Sequence, residues 1–221
     1  SWTNSGTGLP ASDIYLPTNF GAGVHSFTYT VQGQSPCPAA NAQATIIQNA
    51  KAVAGNDAST TLCSDGGNMD LLALLGNAAD PAGSWIDADG APATALFSPS
   101  SHGPGTFVYR YVVTGDAPCE NDTARVAVSV NRKPKAGVST APQLCSNGPM
   151  VALQSLLGGT PDANGSWAYQ PLIGPPVPSD GTFAPGTDPA GAYVYTVAGT
   201  LPCSNSSATV QIAVVPEPNA G

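Results

Sequence analysis

The chain repeats itself, and that repeat constrains its fold more than any other feature. Gly33-x-x-Pro36-Cys37 matches Gly115-x-x-Pro118-Cys119 and Gly199-x-x-Pro202-Cys203, and an Ala (Ala42, Ala124, Ala208) stands five residues beyond each Cys. Upstream, Phe27-Thr28-Tyr29 aligns with Phe107-Val108-Tyr109 and Tyr193-Val194-Tyr195. Tyr15-x-Pro17 aligns with Phe97-x-Pro99 and Phe183-x-Pro185 if a two-residue slip is allowed. Trp2, Trp85 and Trp167 are 83 and 82 residues apart.

A front portion occurs twice. Ala54-Gly55 and Ala136-Gly137 precede Leu62-Cys63 and Leu144-Cys145 at equal distance, with Gly66 and Gly148 three residues after the Cys. Leu71-x-x-Leu74-Leu75-Gly76 matches Leu153-x-x-Leu156-Leu157-Gly158, and Asp80 and Asp162 each stand five residues before a Trp. The spacing divides the chain into the back portion of one repeat (1–49), two whole repeats (50–133 and 134–216) and the start of another (217–221).

Each repeat spells a small β domain. Phe107 to Val112 and Tyr193 to Val197 are rich in aromatic and β-branched residues, and Val126, Val128, Val130 alternate as do Val210, Ile212, Val214. Gly-x-x-Pro-Cys joins these strands as a hairpin, and the Leu-rich run predicts a single helical turn. The Trp after Gly-Ser opens a middle strand. Short strands punctuated by Gly and Pro at this repeat length predict an all-β chain of tandem Ig-like β-sandwich repeats. Pro-containing linkers at 131–135 and 215–218 predict semi-rigid spacers between beads arranged end to end.

Composition narrows the function classes. Charged residues are 9% of the chain and the formal net charge is −8, which removes the basic footprint needed for nucleic acid or an anionic membrane. No run approaches 18 apolar residues, so no transmembrane helix is expected. With 42% hydrophobic residues the chain can build a core and is not disordered. Five Cys point to an oxidising compartment. By register, Cys63 is expected to pair with Cys119 and Cys145 with Cys203, pairs 56 and 58 residues apart. Cys37 is left unpaired within the chain. Its partner is expected either in a preceding segment or in a neighbouring molecule that supplies the missing strands by β-augmentation.

No constellation of catalytic residues stands out, so an enzyme is not expected. His25 and His102 read as loop residues, Glu120 and Glu217 lie in loop or linker, and no nucleophile elbow, zinc motif or phosphate loop is present. No cofactor is expected. Asp57, Asp65, Asp70, Asp80, Asp87 and Asp89 offer oxygens to Ca²⁺, but Asn147 and Ala152 stand in register with Asp65 and Asp70, and Asp before a turn commonly bonds the backbone. No metal site is assigned. Trp85, Tyr109, Tyr111, Trp167, Tyr169 and Tyr195 could make a sugar platform; recurrence at fixed positions favours core packing, with Tyr111 and Tyr169 as the two that do not recur.

The series Ala-Gly…Leu-Cys…Leu-Leu-Gly…Asp-x-x-Gly-Ser-Trp…Phe-x-Pro…Tyr-x-Tyr-x-Val…Pro-Cys…Ala-x-Val-x-Val resembles the tandem repeats of giant Bacteroidota surface adhesins and gliding-associated proteins exported by the type IX system. The resemblance implies an extracellular, non-catalytic stalk or fibre at the cell surface, whose partners are neighbouring repeats or fibre subunits. A carbohydrate- or surface-binding module of a secreted multidomain protein is the alternative. Asp122-Thr123-Ala124 is similar to the O-glycosylation sites of such organisms, which marks Thr123 as a glycan acceptor. Asn121 and Asn205 sit in Asn-x-Thr and Asn-x-Ser sequons.

Overall fold

A computed structural model describes residues 1–218; the end of the predicted stub, 219–221, lies outside the described residues. The chain is an all-β protein of Ig-like sandwiches. Its helical pieces are single turns, among them Leu72–Leu75 and Leu153–Leu156, both inside the Leu-rich motif.

The third repeat shows the complete plan. Its main sheet runs, in spatial order, Gln143–Cys145, Ser206–Val215, Gly191–Val197, Ser166–Gln170 and Val177–Ser179. The first pair is parallel and the others antiparallel. A small second sheet pairs Val151–Ala152 with Thr182–Phe183. Three long antiparallel strands in this order, closed on the other face by a short pair, are the arrangement of an immunoglobulin-type sandwich. Tyr193, at the start of its strand, donates its hydroxyl to the Pro189 carbonyl at 3.0 Å, the corner bond typical of that fold.

The alternating pattern explains the core. Ala208, Val210 and Ile212 face inward at 3%, 0% and 2% exposure while Ser207, Thr209 and Gln211 stay outside or at the margin. They pack with Leu153, Leu157, Trp167, Phe183, Tyr193 and Tyr195. The middle repeat keeps the same strand order: Ala58–Cys63, Asp122–Asn131, Gly105–Val113, Ser84–Ile86, Pro92–Ala93. The first sheet contains only the later strands, in the order Pro10–Ala11, Trp2–Asn4, Gly23–Val31, Ala40–Gln48.

By compactness the chain forms two units, Ser1–Ala58 with Asp70–Ala95 and Val108–Val126, and Ser59–Met69 with Leu96–Phe107 and Ala127–Gly221.

The strand register corrects one alignment. Trp2, Trp85 and Trp167 stand opposite Tyr29, Tyr111 and Tyr195. Tyr111 is thus the counterpart of Tyr195, and Tyr109 that of Tyr193, so Tyr111 does recur. The sequence alignment slipped by two residues, which in a strand returns every side chain to the same face and leaves the polarity pattern unchanged.

Candidate functional site

The recurring motif residues assemble around one Tyr hydroxyl. In the third repeat Tyr195 donates to the Asp162 carbonyl at 2.7 Å and accepts from the Gly165 N–H at 2.8 Å. In the middle repeat Tyr111 makes the same pair of bonds with Asp80 and Gly83. A Cβ on Gly165 would lie 2.4 Å from the Tyr195 ring, so the Gly of Asp-x-x-Gly-Ser-Trp is required by close approach. The rings of Trp167 and Tyr195 pack at 4.9 Å between centroids, as do those of Trp85 and Tyr111. All four are buried, so these aromatics form the core and present no sugar platform. Tyr109 is buried too, and Tyr169 is half-buried with its ring against Tyr193.

The Asp residues disperse into separate backbone tasks. Asp80 accepts the Val53 N–H and Asp162 the Lys135 N–H, each tying a repeat's beginning to its Trp strand. Asp57 accepts from Arg125, Asp70 from Leu72, and Asp87 from Asp89 and Ala91. Asp65 pairs with Lys133 at 2.6 Å. One grouping with metal-ligand spacing, Cys63, Asp65 and Cys203, has both sulfurs in a disulfide and therefore offers no thiolate.

His25 and His102 bond the carbonyls of Gly21 and Ser98 at 2.8 Å and lie against Phe20 and Phe97. Thr123 is exposed at the start of its strand, with its N–H on Asp122. Asn121 and Asn205 use their side-chain oxygens to accept the Gly115 and Gly199 N–H groups at 3.0 Å, each closing its Pro-Cys loop.

The disulfide differs from expectation. Cys63 is joined to Cys203, 140 residues away, with a Cα–Cα distance of 4.9 Å; Cys37, Cys119 and Cys145 are free thiols. The expected bridges Cys63–Cys119 and Cys145–Cys203 are not formed. The Leu-Cys strand of one repeat instead meets the Pro-Cys loop of the next. The Leu-Cys strand ending at Cys63 is followed by a Pro-Cys loop both within its own repeat and in the next one, so register alone does not choose between them.

The linker completes this junction. Asn131 donates its side-chain N–H to the Leu201 carbonyl at 2.7 Å, holding the loop that carries Cys203. Arg132 reaches Asp162 at 2.9 Å and Lys133 reaches Asp65, so adjacent cations hold acids of the two successive repeats. Sequence reasoning missed Asn131, although a signal existed: Asn49 stands 82 residues earlier and bonds the Ala117 carbonyl at 2.8 Å in the same way.

These contacts set a pH dependence. The Arg132 guanidinium, and then the Lys135 N–H, hold the Asp162 carboxyl below its ordinary value of 3.8. Lys133 does the same for Asp65, and the Ala54 N–H for Asp122. A depressed folded-state value means the unfolded chain takes up protons first on acidification. The stabilisation is present above the ordinary carboxylate value and is lost as pH falls through the lowered ones. Thermal midpoints are expected to be flat above about pH 5 and to drop below roughly pH 4. Calorimetry across that range checks this, and an unchanged midpoint down to about pH 2 contradicts it. At the alkaline end burial, with Asp188 nearby, pushes Tyr193 up to about 12, so its contribution fades as pH climbs past 10 toward that value.

Fold and site together define an Ig-like sandwich repeat protein with a covalently bridged repeat junction. No protein-family model matches the chain, and no curated protein does. Among solved structures it is similar to a three-domain titin fragment carrying E-to-A changes, at 12% identity and a TM-score of 0.44 over 88% of this chain and 75% of that one. An I-band titin fragment covers the same shares at 12% identity and a TM-score of 0.41. Cadherin domains 1–4 of protocadherin gamma B7 match at 10% identity and 0.31, over 88% and 58%. Among the described residues no helix is long and apolar enough to cross a membrane.

Proposed function

We propose that the chain is a non-catalytic structural segment of an extracellular, cell-surface adhesin stalk or fibre of the Bacteroidota kind, acting as a stiff spacer braced by disulfides. The observation that carries this reading is the Cys63–Cys203 bond, which links the front strand of one repeat to the hairpin loop of its successor. A bond in that place limits how far successive repeats separate under tension, a purpose that fits a spacer and has no use in an isolated binding module. An oxidised structural disulfide also fits an extracellular setting. The recurring side chains are used up in core packing and backbone ties, which supports a non-enzymatic role.

Pulling the chain by its ends tests the reading. With the bridge intact, the residues between Cys63 and Cys203 stay looped, so the fully extended chain is expected to be about 500 Å shorter than after reduction, given 140 residues at roughly 3.6 Å each. Equal extension in both states contradicts a brace. A glycan array on the same oxidised chain is expected to stay blank; specific, saturable binding replaces the spacer with the carbohydrate-binding alternative.

A further inference from the structure

The first sheet is half of a sandwich core, and its exposed side is a groove of about 380 Å³ lined by Trp2, Tyr15, Phe27, Ala44 and Ile46. By strand register, and for Tyr15 by the shared aromatic-x-Pro motif, these are the counterparts of Trp167, Phe183, Tyr193, Val210 and Ile212, which in the third repeat pack in one core with Ala136, Leu153 and Leu157 from the front portion. The Trp–Tyr pair is already set, with Trp2 and Tyr29 at 5.0 Å, yet Tyr29 is 39% exposed where Tyr111 and Tyr195 are at 1% and 2%. What fills this place elsewhere in the molecule is therefore visible in the molecule itself.

A second observation concerns Cys119, in the same compact unit as the groove. Its loop repeats the loop of Cys203. Asn49 and Asn131 hold Ala117 and Leu201, and Cys119 Sγ lies 3.8 Å from the Asn49 carbonyl as Cys203 Sγ lies 3.4 Å from that of Asn131. Cys203 is bonded to the Leu-Cys strand of a front portion; Cys119 is a free thiol.

We infer that the groove of the first sheet docks a segment of the Ala-Gly…Leu-Cys…Leu-Leu-Gly kind, whose leucines close the core and whose cysteine forms a disulfide with Cys119 by thiol–disulfide exchange, the two electrons and two protons passing to an external small-molecule disulfide that leaves as two thiols. Cross-linking then recurs at successive repeat junctions. This docking does not depend on the spacer reading, since a chain that binds glycans could seat the same segment.

The probe is a synthetic peptide copying residues 51–76, with its Cys63 counterpart activated as a mixed disulfide with thionitrobenzoate, added to the full oxidised chain. The Cys119 thiolate attacks the peptide sulfur, the bond to thionitrobenzoate breaks, and thionitrobenzoate leaves with the electron pair; no further oxidant is needed. Peptide mapping is expected to place the adduct on Cys119 at least tenfold over Cys37 and Cys145, although those two are the exposed thiols. A peptide with Leu71→Asp and Leu75→Asp is expected to lose that preference. Absence of an adduct, even labelling of the three thiols, or an unchanged preference with the doubly substituted peptide overturns the inference.

Discussion

Replacing both Cys63 and Cys203 by alanine is expected to lower the unfolding free energy by roughly 3–5 kcal/mol. The two half-cystines are 7% and 2% exposed, so alanine leaves no buried polar group behind, and the loss combines the cross-link with the packing of two buried sulfurs. In the chain-entropy treatment, closing a loop of 140 residues is worth about 5 kcal/mol, and engineered or strained bridges deliver less. Sandwiches of this size bury a modest fraction of their surface, so such a loss is a large part of their margin. Urea denaturation of the oxidised chain against the double variant measures it. Cys145→Ser, at an exposed free thiol, is expected to change stability by less than about 0.5 kcal/mol. A loss below about 1 kcal/mol in the double variant contradicts the account.

The second large effect comes from the core. Trp167→Ala removes an indole at 8% exposure that packs on the Tyr195 ring, and the cost is expected to be about 3–5 kcal/mol. The same substitution at Trp2 is expected to cost about 1 kcal/mol or less, because Trp2 is half-buried and the Tyr29 it packs on is 39% exposed. The contrast matters more than either value, since the two residues hold the same place in their sheets. Denaturation midpoints followed by the fluorescence of the remaining indoles give both numbers. Equal costs at Trp2 and Trp167 contradict the half-core description of the first sheet.

Much of the architecture is legible in the sequence. The alternation of Val126, Val128 and Val130 and of Val210 and Ile212 marked the inward faces of the closing strands, and the Gly-x-x-Pro-Cys run marked the hairpin between long strands. Leu71 to Gly76 read as one helical turn, and the structure has a four-residue turn there. Tyr111 was misaligned because a strand has no means of distinguishing a shift of two residues by polarity alone. The disulfide was misassigned for a related reason. A repeat fixes where each cysteine lies within its own sandwich, whereas the choice of partner depends on how the linker turns the next loop toward the preceding front strand. That turn is made by Asn131, Arg132 and Lys133, whose contacts reach Leu201, Asp162 and Asp65, residues distant in sequence. The recurrence of Asn49 and Asn131 is a trace of the junction in the sequence, and its meaning appears only when the loop carbonyls are in place.

Peptide mapping of the unreduced chain tests the bridged junction most directly. Proteolysis under acidic conditions, which suppress thiol exchange, followed by mass spectrometry is expected to recover the Cys63 peptide joined to the Cys203 peptide, with Cys37, Cys119 and Cys145 alkylated as free thiols. Recovery of Cys63 with Cys119, or of Cys145 with Cys203, would contradict it.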